Sequence, residues 1–387
     1  MQIAVTPEVA ALFARLRAAG VRGWLVGGAV RDSLAGRPVA DWDMAVECAP
    51  PQLARALPGA KPIGGRYGTV NWHGVEVTPC RREGAYSDGR HPDEVVFGGT
   101  IEEDLARRDF TVNAMAWDGE RLLDPWKGEA DLRGRVLRCV GDPHTRFAED
   151  ALRVLRLFRF ASVLGFDVEW DTFAAACEAA PELGRVSAQR VRDELNRALT
   201  GQTPAALAPL VAGGGLASFG IGPSSVCLGF LGQVPGSLLC RWWALLHATG
   251  SDAALAARVF GFGRSFQADY GRLDALYSAG APQGLLPLKR SLAKGTPFDY
   301  RDIAETFAAL DARWSGAAGL YTQLLQSREP YKKEQLAVTS AQLMAEGVPP
   351  RKLGAVQAML LKAVVEQPAL NEWPTLVQMA RSLCRFV

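Results

Sequence analysis

The sequence lacks an excess of charge of either sign. Its 387 residues include 43 Lys and Arg against 41 Asp and Glu, a formal net charge of +2. Proteins that hold nucleic acid through their overall charge are strongly basic. The balance excludes that class and requires any basic patch to be local. Arg outnumbers Lys by 35 to 8 throughout the chain, so an all-arginine site says little by itself.

Paired cysteines and long apolar runs are also missing. The seven cysteines include no C-x-x-C pair, and residues 1–20 have the pattern of a capped amphipathic helix rather than a leader. We therefore expect reduced thiols in a cytoplasmic protein. The longest uncharged stretch, residues 198–240, is interrupted by Gly, Pro, Ser and Thr and has no run of about 18 apolar residues. No membrane helix is predicted.

The chain contains enough apolar residues to form a folded core. Apolar residues make up 48% of the chain and charged residues 22%. Short apolar runs between turn residues predict strands mixed with helices up to about residue 140, and helical periodicity dominates afterwards. The predicted fold class is a mixed α/β head followed by an all-α remainder. We expect domains at residues 1–140, 141–210, 211–330 and 331–387.

Two aspartates one residue apart are the first candidate functional pair. Asp41 and Asp43 follow a predicted strand-turn-helix in the segment GGAVRDSLAGRPVADWD, residues 27–43. A strand places alternate side chains on one face, so these carboxylates project together. They repel unless a cation neutralises them, and a hard divalent cation such as Mg²⁺ suits them.

The glycines and the arginine upstream are candidates for binding phosphate. Gly27 and Gly28 allow the backbone to approach a ligand, and Arg31 lies about one turn into the next helix. Each piece alone is common in turns or on exposed strands, but their order and spacing together are not. A Rossmann-type cofactor loop is disfavoured because no G-x-G-x-x-G is present.

Four motifs together resemble one family. They are GGAVRD (27–32), DWD (41–43), RRDFTVNAMA (107–116) and FAEDALRVLR (147–156). This set is similar to the class II tRNA nucleotidyltransferases (CCA-adding enzymes) and bacterial poly(A) polymerases, over roughly residues 20–200. The resemblance implies a polymerase-β-like head, a helical neck that recognises nucleobases, and a helical body and tail, with the tail binding tRNA. It implies addition of C and A from CTP and ATP to tRNA, with Mg²⁺ held by Asp41 and Asp43 and the triphosphate bound by Gly28 and Arg31.

Further carboxylate and arginine candidates lie in two strand-flanking segments. Glu76, in the alternating segment Val75–Val77, is a candidate third catalytic carboxylate, or else a solvated strand residue. The resemblance implies that Arg107, and with it Arg108, binds the incoming nucleotide. The alternative is a structural ion pair with nearby Glu102, Glu103 or Asp104.

The segment EDALRVLRLFR, residues 149–159, has the pattern of a buried helix with one charged stripe. Positions 153, 156 and 159 fall on one side, with Glu149 and Asp150 one turn earlier on the same side. A solvated face is the ordinary interpretation of such a stripe. The resemblance instead implies that Asp150 and Arg153 match the Watson–Crick edge of C or A, with Arg156 and Arg159 reaching base or phosphates.

Some positions depart from the family pattern or extend it. Gln189 stands where the family usually has Glu, and we have no functional account of Cys80, which precedes Arg81 where an aromatic residue is usual. The polar segment 81–92 is of full length, which argues against addition of C alone. The segment CRWWALLH (240–247) is predicted to be a core helix rather than a metal site. Near the carboxyl end, four basic residues are candidates for phosphate contacts or an ordinary solvated surface: Lys332, Lys333, Arg351 and Lys352.

Three other functions stay open at this point. An enzyme that adds only A would carry the same motifs. A poly(A) polymerase is disfavoured because no long basic carboxyl-terminal extension is present. A catalytically inactive RNA-binding protein on the same scaffold is disfavoured by the intact pair Asp41 and Asp43. The oligomeric state is not predicted.

Overall fold

The chain forms two compact units, Met1–Val226 and Cys227–Val387. The structure is a computed structural model that describes residues 3–63, 68–83, 95–296 and 299–384. The sequence analysis predicted that the polar segment 81–92 is of full length. Residues 84–92 of that segment lie outside the described ranges. The predicted residues 1–140 and 141–210 both fall within the first unit. The finer division into four domains stays a prediction.

A mixed sheet forms the centre of the first unit. Its strands and those of two small sheets are β1 (Gly23–Val26), β2 (Trp42–Val46), β3 (Lys61–Pro62), β4 (Val70–Trp72), β5 (Val75–Pro79), β6 (Arg81–Glu83), β7 (Val95–Phe97), β8 (Ala116–Trp117), β9 (Leu122–Leu123), β10 (Val136–Leu137) and β11 (Asp167–Val168). The main sheet has the order β3-β4-β5-β2-β1-β8-β9. Strands β2 and β5 are parallel, and the other neighbours in this sheet are antiparallel. The predicted α/β head is confirmed.

Helices flank this sheet and continue beyond it. They are α1 (Pro7–Ala18), α2 (Gly28–Leu34), α3 (Pro50–Ala56), α4 (Ile101–Ala106), α5 (Gly128–Gly134), α6 (Pro143–Glu149), α7 (Leu152–Leu164), α8 (Trp170–Ala179), α9 (Ala188–Leu199) and α10 (Ala208–Ala212). The start of α1 follows the sequence signals, since the Thr6 hydroxyl accepts from the Val9 amide and Pro7 is the first helical residue. A reciprocal capping box between Thr100 and Glu103 fixes the start of α4.

The charged stripe of residues 149–159 does not lie on one continuous helix, contrary to the prediction. Helix α6 ends at Glu149, and Asp150 has an extended backbone (φ −149°, ψ 105°). Its Oδ1 then accepts a hydrogen bond from the amide of Leu152, at the start of α7, at 3.0 Å. Asp and Asn side chains compete with the helical backbone for hydrogen bonds in this way. The break takes Asp150 out of the helical register of the arginines that follow it.

Helices α7 and α9 pack in the same direction. Asp150 pairs with Arg190 at their beginnings, and the Ser162 hydroxyl donates to the carbonyl of Ala198 near their ends. A Cβ on Gly201 would lie 2.3 Å from the Ser162 hydroxyl oxygen. Only glycine therefore fits at Gly201, which allows the close approach of the two helix ends.

The second unit contains helices and no strands among the residues that the structure describes. Its helices are α11 (Leu238–Ala248), α12 (Ala253–Val259), α13 (Arg264–Ser278), α14 (Leu285–Leu292), α15 (Tyr300–Leu310), α16 (Ala317–Ser327), α17 (Ser340–Ala345), α18 (Pro350–Glu366) and α19 (Trp373–Leu383). The predicted core helix within CRWWALLH is confirmed as α11, where Trp242 and Trp243 are fully buried. His247 stacks on Trp243 with ring centroids 4.6 Å apart. None of the helices described is long and apolar enough to cross a membrane.

Candidate active site

An arginine-rich cavity of about 530 Å³ lies within the first unit, and we call it the main cavity. Eight of its fifteen lining residues are arginines. Such a lining fits a ligand with several negative charges, because guanidinium groups bind phosphates through paired hydrogen bonds. The cavity brings together these predicted residues: Gly28, Arg31, Asp43, Arg107, Arg108, Asp150, Arg153, Arg156 and Arg159.

The turn between β1 and α2 forms one wall of the main cavity. Gly27 has φ +65°, and a Cβ at this position would lie 3.0 Å from a guanidinium nitrogen of Arg108. The positive φ favours glycine there, and the missing side chain lets Arg108 approach the turn. The Arg31 guanidinium donates to both carboxylate oxygens of Asp32 and, at 2.7 Å, to Oδ1 of Asn113. Arg31 is thus fixed in orientation before any ligand arrives.

Carboxylates meet where β2 and β5 run side by side. Asp43 and Glu76 occupy neighbouring positions in the parallel register, and exposed Asp41 immediately precedes β2. Burial, and then the charges of Glu76 and Asp41, raise the pKa of Asp43 against the opposing effect of Arg108. Glu76 and Asp43 share a smaller cavity of about 260 Å³, which we call the carboxylate cavity.

Neither cavity lining includes Asp41. Residues 3–63, 68–83, 95–296 and 299–384 contain no group of three or more His, Cys, Asp or Glu side chains placed to hold a metal ion. The catalytic roles of Asp41 and Glu76 stay predictions.

Arg107 and Arg108 are held by one buried carboxylate. Both donate to Asp104, which is 2% exposed and lies on α4. Burial alone would raise the pKa of Asp104, but Arg108 and Arg107 lower it below its usual value. The structural ion pair considered as an alternative is therefore present. Both arginines nevertheless line the main cavity and the carboxylate cavity, so the pair positions them there.

Asp109, which lies between α4 and β8, pairs with Arg156 of α7. Its Oδ2 accepts from the Arg156 guanidinium at 2.6 and 2.9 Å, and its Oδ1 accepts from the backbone amide of Phe110 and the side-chain amide of Asn113. The carboxylate is 7% exposed. Burial opposes ionisation, but Arg156 and these hydrogen bonds hold the pKa of Asp109 at about 2. Arg156 is thereby oriented by a residue that the sequence analysis did not select.

Asp150 and Arg153 come together beside the start of α7. The second carboxylate oxygen of Asp150 accepts from Arg190 at 2.8 Å. Arg153 donates to Glu149 at 2.5 Å and to the backbone carbonyl of Arg107 at 3.0 Å. Both side chains line the main cavity in fixed orientations, each with part of its hydrogen-bonding capacity unused.

Arg159 is the most buried of the three predicted arginines of α7. It is 8% exposed and its Nε lies 2.5 Å from an oxygen of Glu194 on α9. Burial lowers the pKa of Arg159 to about 10, against the opposing charge of Glu194. Its guanidinium carbon also lies 3.6 Å from the ring centroid of Phe160, a close cation–π contact.

Two arginines of α9 were missed from the sequence. Arg190 and Arg197 line the main cavity, and Glu194 between them pairs with Arg159. Their spacing of four and then three residues places all three on one face of a helix, and that pattern could have identified them. Among the residues that the structure describes, the side chain of Arg197 has no hydrogen-bonding or ion-pair partner, whereas the guanidiniums of the other cavity arginines are each paired with a carboxylate.

The geometry favours a ligand that is anionic along most of its length. Fixed arginines surround the cavity, adjacent carboxylates lie at its edge on a mixed sheet, and a carboxylate–guanidinium pair can bind the edge of a base. The fold and the site together define a nucleotidyltransferase head of the polymerase-β type.

Two models of known protein families match parts of the chain. Residues 23–138 match the model of the poly A polymerase head domain, and residues 165–214 match a model described as the probable RNA and SrmB-binding site of polymerase A. Residues 23–138 and 165–214 of the chain are thus similar to the class II CCA-adding enzymes and poly(A) polymerases. Members of this family typically use a divalent metal ion.

Curated relatives match over about half of the chain. A CCA-adding enzyme of Geobacillus thermodenitrificans is 40% identical over 205 residues, which is 52% of this chain and 51% of that protein. One from Lacticaseibacillus paracasei is 44% identical over 193 residues, 48% of each. The chain thus spans about half the length of the curated relatives it matches.

Solved structures match over nearly the whole chain. The CCA-adding enzyme of Bacillus stearothermophilus in complex with CTP has a TM-score of 0.76 at 27% identity and covers 99% of both chains. A Thermotoga maritima CCA-adding enzyme complexed with tRNA has a TM-score of 0.68 at 20% identity, covering 98% of this chain and 96% of that one. At 20% identity, the similarity to the Thermotoga maritima structure shows only that the two chains share a fold.

Proposed function

We propose that this chain is a cytoplasmic, Mg²⁺-dependent tRNA nucleotidyltransferase that adds C and A from CTP and ATP to tRNA 3′ ends and releases pyrophosphate. One observation carries the proposal. A single cavity joins Asp43, beside Glu76, to a set of arginines and to the pair Asp150 and Arg153. The relatives support the specific activity through their name, CCA-adding enzyme, and one at 27% identity is bound to CTP.

The carboxylates fit a divalent cation by their chemistry. The donors are all oxygens, and the raised pKa of Asp43 reflects burial and like charges that an added cation would offset. Mg²⁺ is commonly held by one or two carboxylates together with substrate phosphates. A site for this ion therefore does not require three protein side chains. Asp43 and Asp41 would hold the ion, with Glu76 in support. When bound, it supplies charge neutralisation at the transferred phosphoryl group and activates the RNA 3′-hydroxyl.

The arginines bind and orient the triphosphate. Arg107, Arg108 and Arg31 are fixed by Asp104, Asp32 and Asn113, so their remaining donors face a ligand without first having to be ordered. The absence of side chains at Gly27 and Gly28 leaves room beside Arg108 and Arg31, respectively. Such preorganisation is the main contribution a protein makes to phosphoryl transfer.

Asp150 and Arg153 select the base. Cytosine and adenine both present an amino group, whereas guanine and uracil present a carbonyl oxygen in its place. The carboxylate of Asp150 accepts from an amino group and repels a carbonyl oxygen, while Arg153 donates to the adjacent ring nitrogen. Arg190 holds the carboxylate and Glu149 holds the guanidinium, so the pair keeps one orientation.

The proposed activity is tested with defined tRNA ends. Pure protein is given tRNAs ending before CCA, after C and after CC, with each nucleotide separately, and the products are sized. We expect C addition to the first two and A addition to the third. Addition to the CC-ended tRNA alone would instead identify an A-adding enzyme, and incorporation of many A residues would identify a poly(A) polymerase.

Arg197→Ala is expected to raise the KM for CTP and for ATP about tenfold, because alanine cannot form a charge-assisted hydrogen bond to phosphate. Arg197 is exposed and unpaired among the described residues, so its charge is available to the ligand. Arg185→Ala is the matched control, because Arg185 is 84% exposed and lines neither the main nor the carboxylate cavity. Steady-state kinetics against each substrate give the answer. An increase confined to the KM for tRNA would assign Arg197 to RNA, and unchanged constants would remove it from the site.

A further inference from the structure

A cavity of about 350 Å³ lies at the opposite end of α2 from Gly28, and we call it the α2–α5 cavity. Three arginines line it, Arg37, Arg133 and Arg135, together with Glu129. It shares no lining residue with the main cavity. The proposed nucleotide site therefore does not account for this group of cations.

The positive charge of the α2–α5 cavity exceeds what its own carboxylate can balance. Arg133 pairs with Glu129 at 2.5 Å, and Glu129 is the one acidic residue among the lining residues that the structure describes. The charges of Arg37 and Arg135 are left without an acidic partner in the lining. A surplus of two positive charges at an open cavity favours an anionic ligand.

Arg37 and Arg135 are held in place by neutral groups. Arg37 donates to the carbonyl of Leu164 at 3.2 Å, and Arg135 donates to the carbonyl of Gly165 at 3.1 Å. Both guanidiniums lie near Phe166, with their carbons 6.0 and 5.8 Å from the ring centroid. These contacts cap the end of α7, but they use one of the five N–H donors of each guanidinium. The other donors stay available for a ligand.

The backbone at Arg135 explains why this residue lies at the cavity. Arg135 has φ +57°, a left-handed conformation that favours glycine, and its backbone amide donates to the carbonyls of Asp131 and Leu132, so it ends helix α5. Its guanidinium therefore adds a cation at the end of α5, while Arg133 takes no part in capping α7.

We propose that the α2–α5 cavity binds a backbone phosphate of the RNA substrate, so that tRNA contacts both ends of α2. This proposal rests on the proposed function. Helix α2 has seven residues and spans about 10 Å, so a polyanion in the main cavity can reach both cavities. The cavity joins surplus cations to the apolar side chains of Leu34, Leu132 and Phe166, which fits a phosphate with its attached ribose better than a free anion. Phe166 also lies within the segment 165–214 matched by the model described as a probable RNA-binding site.

A double variant of the full chain tests this, Arg133→Gln with Arg135→Gly. Glycine removes the guanidinium at a position whose backbone it prefers, and Arg133 is 75% exposed, so we expect the double variant to fold. We expect the KM for a tRNA ending before CCA to rise about tenfold and the KM for CTP to stay unchanged. The slope of log Kd for tRNA against log salt concentration should fall by about 1 for each phosphate that the variant no longer neutralises.

Arg22→Gln is the matched control. Arg22 is also 75% exposed and pairs with a glutamate, Glu47, at 2.5 Å, but it lines none of the cavities described above. Its tRNA KM and salt slope should equal those of the wild type. Single Arg135→Gly, which removes one of the two surplus charges and leaves the pair of Arg133 with Glu129 in place, gives a second measurement if the double variant folds poorly.

The outcomes separate the possible failures. A wild-type chain that does not extend tRNA overturns the proposed function. Normal extension with an unchanged tRNA KM and salt slope in the double variant overturns the α2–α5 proposal alone. Calorimetric titration with CTP and with pyrophosphate tests whether a small phosphate-containing anion binds the α2–α5 cavity. A second binding event in the wild type that is absent from the double variant would assign the cavity to a small phosphate ligand instead of RNA.

Discussion

Asp43→Asn is expected to lower nucleotide incorporation into tRNA by at least about a thousandfold. The amide keeps the size of the side chain but cannot neutralise a cation, and each 1.4 kcal/mol of lost transition-state stabilisation lowers the rate about tenfold. Single-turnover incorporation of radiolabelled CTP measures the loss. Asp171→Asn is the control, because Asp171 is an exposed carboxylate at the start of α8 that lines neither the main nor the carboxylate cavity.

The same substitution is expected to stabilise the protein at pH 8 in EDTA. Burial and the neighbouring Glu76 and Asp41 raise the pKa of Asp43 in the folded state. At a pH above this raised pKa, the charge of Asp43 therefore lowers the free energy of unfolding. The loss disappears as the pH falls below the unfolded pKa of about 3.9. The asparagine has no charge to desolvate, so its melting temperature should exceed that of the wild type at pH 8 and converge with it on acidification. A variant that is inactive because it is unfolded would show the opposite, a lower melting temperature at pH 8.

Asp109→Asn is expected to destabilise the first unit by about 3 kcal/mol at pH 7. Removing one member of a fully buried ion pair leaves the other charge uncompensated, which typically costs about 3–5 kcal/mol. The lower end applies here because the Arg156 side chain is 34% exposed and Glu194 remains 3.7 Å from it. Hydrogen exchange of α7 peptides across a urea series monitors this unit without the second one. Replacing both Asp109 and Arg156 by apolar residues should recover part of the loss, because no lone charge is left buried.

The pH dependence gives an independent signature for Asp109. Its folded pKa of about 2 lies below the unfolded value, so its contribution is fully present above the unfolded pKa of about 3.9. The contribution is lost as the pH falls towards 2. The difference between wild type and Asp109→Asn should therefore shrink between about pH 4 and pH 2. Glu182→Gln, which breaks the exposed pair with Arg185, should leave the protection of α7 unchanged. An Asp109 variant that behaves like this control would show that the buried pair does not hold α7.

Local sequence signals predicted much of the site. The motif spacing selected Asp43, Arg107, Asp150 and Arg153, and all four line one cavity. Strand periodicity placed Glu76 on a strand, and the parallel register of β2 and β5 then made it the neighbour of Asp43. The helical pattern of residues 149–159 was misleading at one position, since the carboxylate of Asp150 ends one helix and starts the next.

The sequence alone determined the succession of a mixed α/β head and a helical remainder, the resemblance to CCA-adding enzymes, and most of the residues that carry charge into the main cavity. These follow from periodicity, turn residues and short motifs, which act over a few neighbouring positions. Only the tertiary structure decided which charges pair with each other. Asp109 with Arg156, Asp150 with Arg190 and Glu194 with Arg159 are joined across about 35 to 47 positions, and their partners could not be chosen from a chain containing 35 arginines. Long-range packing of α7 against α9 made that choice, because a buried carboxylate must find its cation in whichever element lies beside it.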